Sequence, residues 1–211
     1  NKMNIEETLK IIDEQAENLK VHRNIVVPKT IDELEEIPEN NFAEFLQKVT
    51  SKQYTVIVFS QGDIYGIFNF IAPSTQKQIK GVIQYTPYIV AILAAIYGLM
   101  TETYILTTSL IIPFISGFMT GFVKIGLVTI LILGGLLIYF FANENTVGLT
   151  FMIVWTVSIL LTRFMRFYIQ QTLLNLSLSD ERIFAFLYTS RLLRVLDSKS
   201  DQLIYSKVSI R

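Results

Sequence analysis

Acidic side chains almost vanish from the middle of this chain. Between Ile64 and Ser179 the only carboxylates belong to Glu102 and Glu144. A soluble domain usually carries about a quarter charged residues, whereas here the charged fraction is 17% and the hydrophobic fraction is 51%. A soluble stretch of this length does not normally lack carboxylates, because its surface must face water. The pattern therefore predicts an integral membrane protein.

Four apolar stretches separated by short polar turns fill this region. Each holds about 17 to 19 residues, which is near the lower limit for crossing a hydrocarbon core of ~30 Å. Short connections favour antiparallel neighbours, so we predict a mainly α fold built on a four-helix transmembrane bundle. The predicted spans are residues 84–100, 104–122, 125–141 and 147–164.

The few charges of the apolar region alternate from turn to turn. Basic residues precede the first span, lie in the turn between the second and third spans, and close the fourth span. Glu102 and Glu144 occupy the other two turns. Basic residues concentrate on the cytoplasmic side of membrane proteins. We therefore predict an even number of spans, with both termini in the cytoplasm or the equivalent organelle compartment. The basic residues are Lys77, Lys80, Lys124, Arg163 and Arg166.

Residues 1–80 are predicted to form an acidic, water-soluble α+β region. Apolar residues recur at helical spacing in residues 5–20 and 41–50, which predicts two helices. Residues 54–71 are rich in β-branched and aromatic types, with turn residues Ser60 to Asp63 between them, so a β-hairpin is expected. A membrane-associated segment is the alternative for residues 54–71, although polar groups there would be costly to bury.

Residues 168–211 are predicted to form a C-terminal cytoplasmic helix and tail. Ser177 and Asp180 match a helix start, and the helix is expected over residues 180–197, with arginines on one face and large apolar residues on the other. Two placements stay open for it. It lies as an amphipathic helix on the membrane surface, or it docks under the N-terminal region.

Groups that converge for catalysis or ligand binding are scarce in the sequence. The chain has no cysteine, its single histidine is His22, and the common phosphate, dinucleotide and zinc motifs are absent. Every charge of the apolar region falls at a predicted helix end, unlike the charges of a proton or ion relay. We therefore expect no catalytic residue, no metal site and no cofactor. Residues 1–50 hold 11 acidic and 6 basic residues, and the whole chain is neutral. A nucleic-acid-binding protein would show a strongly basic domain, so nucleic acid is not an expected partner.

Small residues inside the predicted spans indicate close packing between helices. Pairs of small residues four positions apart let two backbones approach each other, within one bundle or between subunits. The predicted helix-packing residues are Gly117, Gly121, Ser116, Thr120, Gly134 and Gly135.

Pro113 predicts a kink in the second span, because it lacks the N–H that would bond the carbonyl four residues earlier. The hydroxyls of Thr107, Thr108 and Ser109 are available to satisfy the freed backbone group. The same hydroxyls could instead face a pore.

Together these features predict a non-catalytic, multi-pass membrane subunit that anchors or scaffolds a larger membrane protein complex. Its expected partners are the lipid bilayer and other membrane subunits or copies of itself. A homo-oligomeric channel or small transporter is the alternative, motivated by the hydroxyl-rich face and the kink of the second span. A membrane enzyme ranks third, because ionisable groups that could carry catalysis are so few.

Overall fold

The chain divides into two units of different composition. The computed structural model describes residues 5–23, 25–59, 64–119, 134–136 and 138–206. One unit, here called the terminal unit, combines Asn1–Lys77 with Ile169–Arg211; the other, here called the apolar unit, is Gln78–Tyr168. The segments before and after the apolar region therefore fold together rather than as two separate regions.

The described residues are mainly helical and carry one small sheet. Residues 134–136 and 138–142 are also helical. Two 3₁₀ segments occur at Ile31–Glu33 and Tyr104–Ile111. The α-helices and strands are α1 (Ile5–Arg23), α2 (Phe42–Thr50), β1 (Tyr54–Val58), α3 (Ile64–Ile71), α4 (Ser74–Met100), α5 (Ile112–Met119), α6 (Thr146–Ser179), α7 (Glu181–Thr189), β2 (Leu193–Asp197) and β3 (Gln202–Ile204).

The sheet joins the two ends of the chain. Its order is β1-β2-β3, and both pairs of strands are antiparallel. Tyr54, Val56 and Val58 are buried on one face of β1, whereas Thr55 and Ile57 are exposed on the other. This alternation is the period of two that a half-buried strand requires.

The terminal unit contains the same helix–turn–strand motif twice. α2 and α7 each have nine residues and are each followed by a five-residue strand. The N-cap residues Asn41 and Asp180 each accept hydrogen bonds from two backbone N–H groups of the first turn, as a good N-cap does. The turns after the two helices contain Lys52 and Arg191, and both residues have a φ of 58°.

A pseudo-twofold axis relates the two copies. Val56 and Val195 hold the same position in their copies and face each other in the antiparallel β1–β2 pair. Phe45 and Phe184 also correspond, and their ring centroids lie 4.7 Å apart. Since each of these pairs joins equivalent residues, the axis passes through both of them.

Backbone hydrogen bonds at the two ends of the strand pair follow the same symmetry. The N–H of Phe59 donates to the carbonyl of Leu192 at 2.7 Å, and the N–H of Ser198 donates to the carbonyl of Gln53 at 2.8 Å. Phe59 corresponds to Ser198, and Gln53 corresponds to Leu192. Equivalent residues of the two copies therefore make equivalent backbone hydrogen bonds, which shows that the two copies have the same backbone geometry.

The β-hairpin predicted for residues 54–71 is wrong. Residues 54–58 do form a strand, but their partner is β2 and not the following segment. Residues 64–71 form helix α3, in which Ile64, Phe68 and Ile71 are buried. Their spacing of four and three is a helical stripe, and this stripe outweighs the β-branched and aromatic composition.

The helix predicted over residues 180–197 is shorter than expected. Asp180 is its N-cap, as predicted, but α7 ends at Thr189 and β2 follows. Residues 183–189 are all buried, so a helix lying on the membrane surface is the wrong placement. The structure instead packs α7 beneath the N-terminal region. Phe184 lies against Phe42 and Phe45, and Arg182 pairs with Asp13 at 3.1 Å.

The predicted first and fourth spans lie in long helices. Residues 84–100 belong to α4, which begins ten residues earlier at Ser74, and residues 147–164 belong to α6. The predicted second span begins as a 3₁₀ segment and continues as α5, and much of the third lies outside the described residues. The described chain thus contains two helices long and apolar enough to cross a membrane, and the four-helix bundle stays a prediction.

Candidate functional site

The helices α4 and α6 expose much of their apolar surface. In the most apolar window of each helix only 33% and 22% of the residues are buried. Exposed side chains follow one face of α4 at helical spacing: Ile89, Leu93, Ile96 and Met100. A helix in the core of a soluble protein buries such a stripe, and contiguous apolar surface on a protein marks contact with a membrane or a partner.

α6 carries an equivalent stripe. Ile153, Leu160, Phe164 and Phe167 are exposed between 44% and 56%, and their spacings of seven, four and three place them on one side of the helix. The two long helices therefore both present apolar surface that the described residues leave uncovered.

The buried face of α4 is lined by small residues. Ala91, Ala94, Ala95 and Gly98 are all buried, and their spacing of three to four residues places them on one side of the helix. Ala91 and Ala94 pack with Ile112 of α5 and Val154 of α6. This stripe packs the helices of the apolar unit. The stripe is not among the residues predicted from the sequence, since those predictions rest on glycine and hydroxyl pairs, although alanines at helical spacing are a readable signal.

At Gly98 the α4 backbone lies close to the chain segment that follows the helix. A Cβ atom at this position would lie 2.6 Å from Leu106 Cβ and 2.8 Å from the carbonyl oxygen of Thr103. Gly148 of α6 is similarly close to the ring of Phe140. Glycine is required at Gly98 because backbone and Cβ atoms cannot swing aside.

Of the predicted helix-packing residues, the structure describes the surroundings of Ser116, Gly134 and Gly135. Ser116 is fully buried, and its Oγ has no hydrogen-bond partner among the described residues. At Gly134 and Gly135 an added Cβ would meet no atom within 4 Å, so these two glycines pack against nothing in the described chain. Gly117 lies in helix α5, and Thr120 and Gly121 lie outside the described residues.

Pro113 lies in the first turn of α5 rather than at a kink inside a long helix. The carbonyl that it leaves without an α-helical donor is that of Ser109, and the N–H of Ile112 bonds this carbonyl. The predicted role of nearby hydroxyls in satisfying the freed carbonyl is therefore wrong. A proline in the first turn of a helix is readily tolerated, because an N–H there has no partner within the helix.

The three hydroxyls predicted to satisfy the backbone or to line a pore bond other carbonyls. Thr107 and Thr108 each donate at 2.7 Å to a carbonyl three residues earlier. Ser109 is buried and donates at 3.1 Å to the carbonyl of Ala91 in α4. These hydroxyls hold local turns and one contact between helices, and they form no shared polar face.

A buried cluster of ionisable groups lies at the first helix–turn–strand copy of the terminal unit. Glu39, whose side chain is only 1% exposed, forms an ion pair with Lys48. The hydroxyl of Tyr54 donates to the same carboxylate oxygen at 2.9 Å. The other oxygen of Glu39 has no hydrogen-bond partner among the described residues. The cluster links the loop before α2 to α2 and to β1.

The electrostatics of this cluster favour a structural role. The hydrogen bond to Glu39 raises the pKa of Lys48 above its usual value. Burial, and then the hydrogen bond to Glu39, raise the pKa of Tyr54. At neutral pH the lysine therefore keeps its charge and the phenol keeps its proton. Both groups act as hydrogen-bond donors, and neither serves as a base.

Within the described ranges, no three side chains among His, Cys, Asp and Glu come together in a way that could hold a metal ion. Comparisons with family models, with curated proteins and with solved structures give no match for this chain. The functional argument therefore depends on the chain's own residues.

Proposed function

We propose that this chain is a non-catalytic, multi-pass membrane protein that anchors its terminal unit within a larger membrane protein complex. The observation that carries the proposal is the exposure of the apolar faces of α4 and α6. Exposure of such faces to water is unfavourable, because removing apolar surface from water contributes about 25 cal/mol for each Å². Lipid or the apolar spans of partner subunits can cover them.

The pairing of β1 with β2 supports an even number of crossings. These strands flank the apolar region in the chain and are hydrogen-bonded to each other. They must therefore lie on the same side of any membrane that the intervening helices cross. This agrees with the placement of basic and acidic turns in the sequence, from which we propose four spans and both termini on the cytoplasmic side.

The outer face of the sheet supports a role in assembly. Ile57 and Leu203 are exposed by 37% and 47% and lie on the same face of the sheet. Neighbouring exposed apolar side chains are suited to a protein interface. We propose that a partner subunit covers this face.

The channel alternative receives less support from the geometry. Its motivating residues, Thr107, Thr108 and Ser109, already donate to backbone carbonyls. Ser109 is also fully buried against α4, so the three hydroxyls do not line one water-filled face together. The scaffold is therefore the function that we propose.

The test is the native mass of the full chain, solubilised gently from its own membrane with its companions attached. We expect other proteins in fixed ratio to the chain. The double variant Ile57→Asp/Leu203→Asp should lose a partner and still enter the membrane. Val21→Asp is the matched control, because Val21 is exposed by 66% elsewhere in the terminal unit. Recovery of wild type as a monodisperse monomer would contradict the proposal.

A further inference from the structure

The terminal unit contains a small, solvent-open pocket beside the start of β2. Its volume is about 180 Å³, and it is lined by Arg191, Leu193, Arg194 and Tyr205. Sites for drug-sized ligands usually measure ~300–1,000 Å³. The pocket is therefore suited to a small group rather than to a large organic molecule.

The backbone and an aromatic ring position the two arginines. Arg191 has a φ of 58°, in the left-handed region that the turn after α7 requires. The guanidinium of Arg194 lies over the ring of Phe59, 3.6 Å from its centroid. Stacking on an aromatic face fixes the plane of a guanidinium and leaves its N–H edge free to bond an anion.

The positive charge of the pocket is not neutralised within the described chain. Neither Arg191 nor Arg194 forms an ion pair with a described acidic residue. The carboxylate of Asp197, at the end of the same strand, is already engaged. It accepts from the N–H of Lys199 and from the hydroxyl of Ser200, both at 2.9 Å, and these bonds lower its pKa.

The pseudo-twofold axis provides an internal comparison. In the other helix–turn–strand copy, the positions of Arg191 and Arg194 are held by Lys52 and Thr55. The backbone is the same in both copies, so the backbone geometry does not demand two arginines at these positions. The stacking on Phe59 accounts for the orientation of Arg194, and the pairing of two arginines in one copy is suited to binding an anion.

We propose that this pocket binds a phosphate group. The planar guanidinium forks match the oxygens of phosphate, and charge-assisted hydrogen bonds of this kind are about twice as strong as neutral ones. The phenol of Tyr205 supplies a further donor. The group comes either from a free phosphate or from the headgroup of an anionic lipid, and the two sources have the same recognition chemistry.

The experiment measures the thermal unfolding of the full chain in neutral detergent, with and without each of two probes. The probes are inorganic phosphate and mixed micelles doped with phosphatidic acid, with phosphatidylcholine micelles as the reference. Binding to the folded state alone raises Tm. We expect at least one probe to raise the Tm of wild type, and we expect Arg191→Gln/Arg194→Gln to weaken that binding at least tenfold.

Two controls separate loss of the site from loss of the fold. Lys52→Gln changes the equivalent residue of the other copy and should bind as wild type does. Without probe, the double variant should unfold cooperatively with a Tm only a few degrees below that of wild type, because it loses the stacking of Arg194 on Phe59. Arg194→Lys should bind the probe more weakly because it keeps the charge but loses the fork. A response to phosphate indicates a free phosphate source, and a response to phosphatidic acid alone indicates a lipid headgroup. A response to neither probe, or an equal response in the double variant, would overturn the proposal.

Discussion

At the scale of single residues, Gly98 controls how closely the chain packs in the apolar unit. We expect Gly98→Ala to destabilise the protein by about 1–3 kcal/mol, which is the usual cost of overpacking. The new Cβ would lie 2.8 Å from the Thr103 carbonyl oxygen. For a chain of this length the Tm should fall by about 2–4 °C for each kcal/mol, measured by thermal unfolding in detergent.

Gly81 provides the matched control, because it lies in the same helix and an added Cβ there meets nothing within 4 Å. Gly81→Ala should leave the Tm unchanged or raise it, since alanine is favoured over glycine in a helix by up to about 1 kcal/mol. Equal effects of the two substitutions would show that Gly98 is not a close contact.

Two buried tyrosines of the terminal unit should respond in opposite ways to loss of the hydroxyl. Tyr54→Phe removes a donor from the buried carboxylate of Glu39 and should cost about 1–3 kcal/mol. The hydroxyl of Tyr188 has no hydrogen-bond partner among the described residues. Tyr188→Phe should therefore leave stability unchanged or raise it by about 1 kcal/mol. Thermal unfolding of both variants beside wild type checks this, and a larger loss for Tyr188→Phe would contradict it.

The cluster around Glu39 also predicts a loss of stability in alkali. The pKa values of Tyr54 and Lys48 are raised above their ordinary values of 10.0 and 10.5. Both groups hold their protons more tightly when folded, so their contribution is complete below the ordinary values and is lost as pH rises through the folded ones. The Tm of wild type should fall above about pH 10. The Tm of Tyr54→Phe should fall less steeply with pH than that of wild type. Parallel curves of Tm against pH for the two proteins would refute the assignment.

At the scale of elements, the repeated helix–turn–strand motif makes the two N-caps equivalent. We expect Asn41→Ala and Asp180→Ala each to destabilise the terminal unit by about 1 kcal/mol, because each removes the oxygen that accepts from two N–H groups. The exchanges Asn41→Asp and Asp180→Asn keep that oxygen and should be nearly neutral. Tm values for the four variants check the equivalence, and an effect at only one of the two sites would count against it.

The sequence predicted the elements whose signal is local. The helical stripes of α1 and α2, the long apolar helices and the cap at Asp180 could all be found from spacing and residue type. Helix ends were harder to place. Thr189 is followed by a turn whose left-handed position is taken by Arg191, where glycine is the usual signal. Without that glycine, the sequence carries no local signal that ends the helix before β2.

The sheet could not be predicted from local pattern, because its strands are brought together by distant pairing. β1 has its partner at the other end of the chain, and a strand of five residues carries little information about which partner it takes. The pocket at Arg191 and Arg194 depends on the same pairing, since Phe59 follows β1 and the arginines flank the start of β2. This site was therefore absent from the sequence analysis for the same physical reason.

At the scale of the whole molecule, the two ends of the chain close into one unit around a shared aromatic core. Phe45 and Phe184 are both fully buried and in contact, and each comes from a different end of the chain. We therefore expect removal of either end to unfold the terminal unit. Deletion of residues after Asp180 should expose residues 54–58 to proteolysis, and persistent protection of that segment would contradict this account of the core.

We propose that α4 and α6 cross a membrane and that the chain returns to the side from which it started. The chain has no cysteine, so single-cysteine variants can be labelled without background. The measurement is labelling by a membrane-impermeant maleimide on sealed cells or organelles, before and after permeabilisation. The variants are Ala43→Cys and Lys199→Cys in the terminal unit, and Thr101→Cys and Asn143→Cys in the turns after the predicted first and third spans.

We expect Thr101→Cys and Asn143→Cys to label on the side opposite to Ala43→Cys and Lys199→Cys, with the latter two always together. Labelling of all four variants from one side would show that these helices do not cross the membrane. Labelling of Ala43→Cys and Lys199→Cys from different sides would contradict the paired strands that join the two ends of the chain.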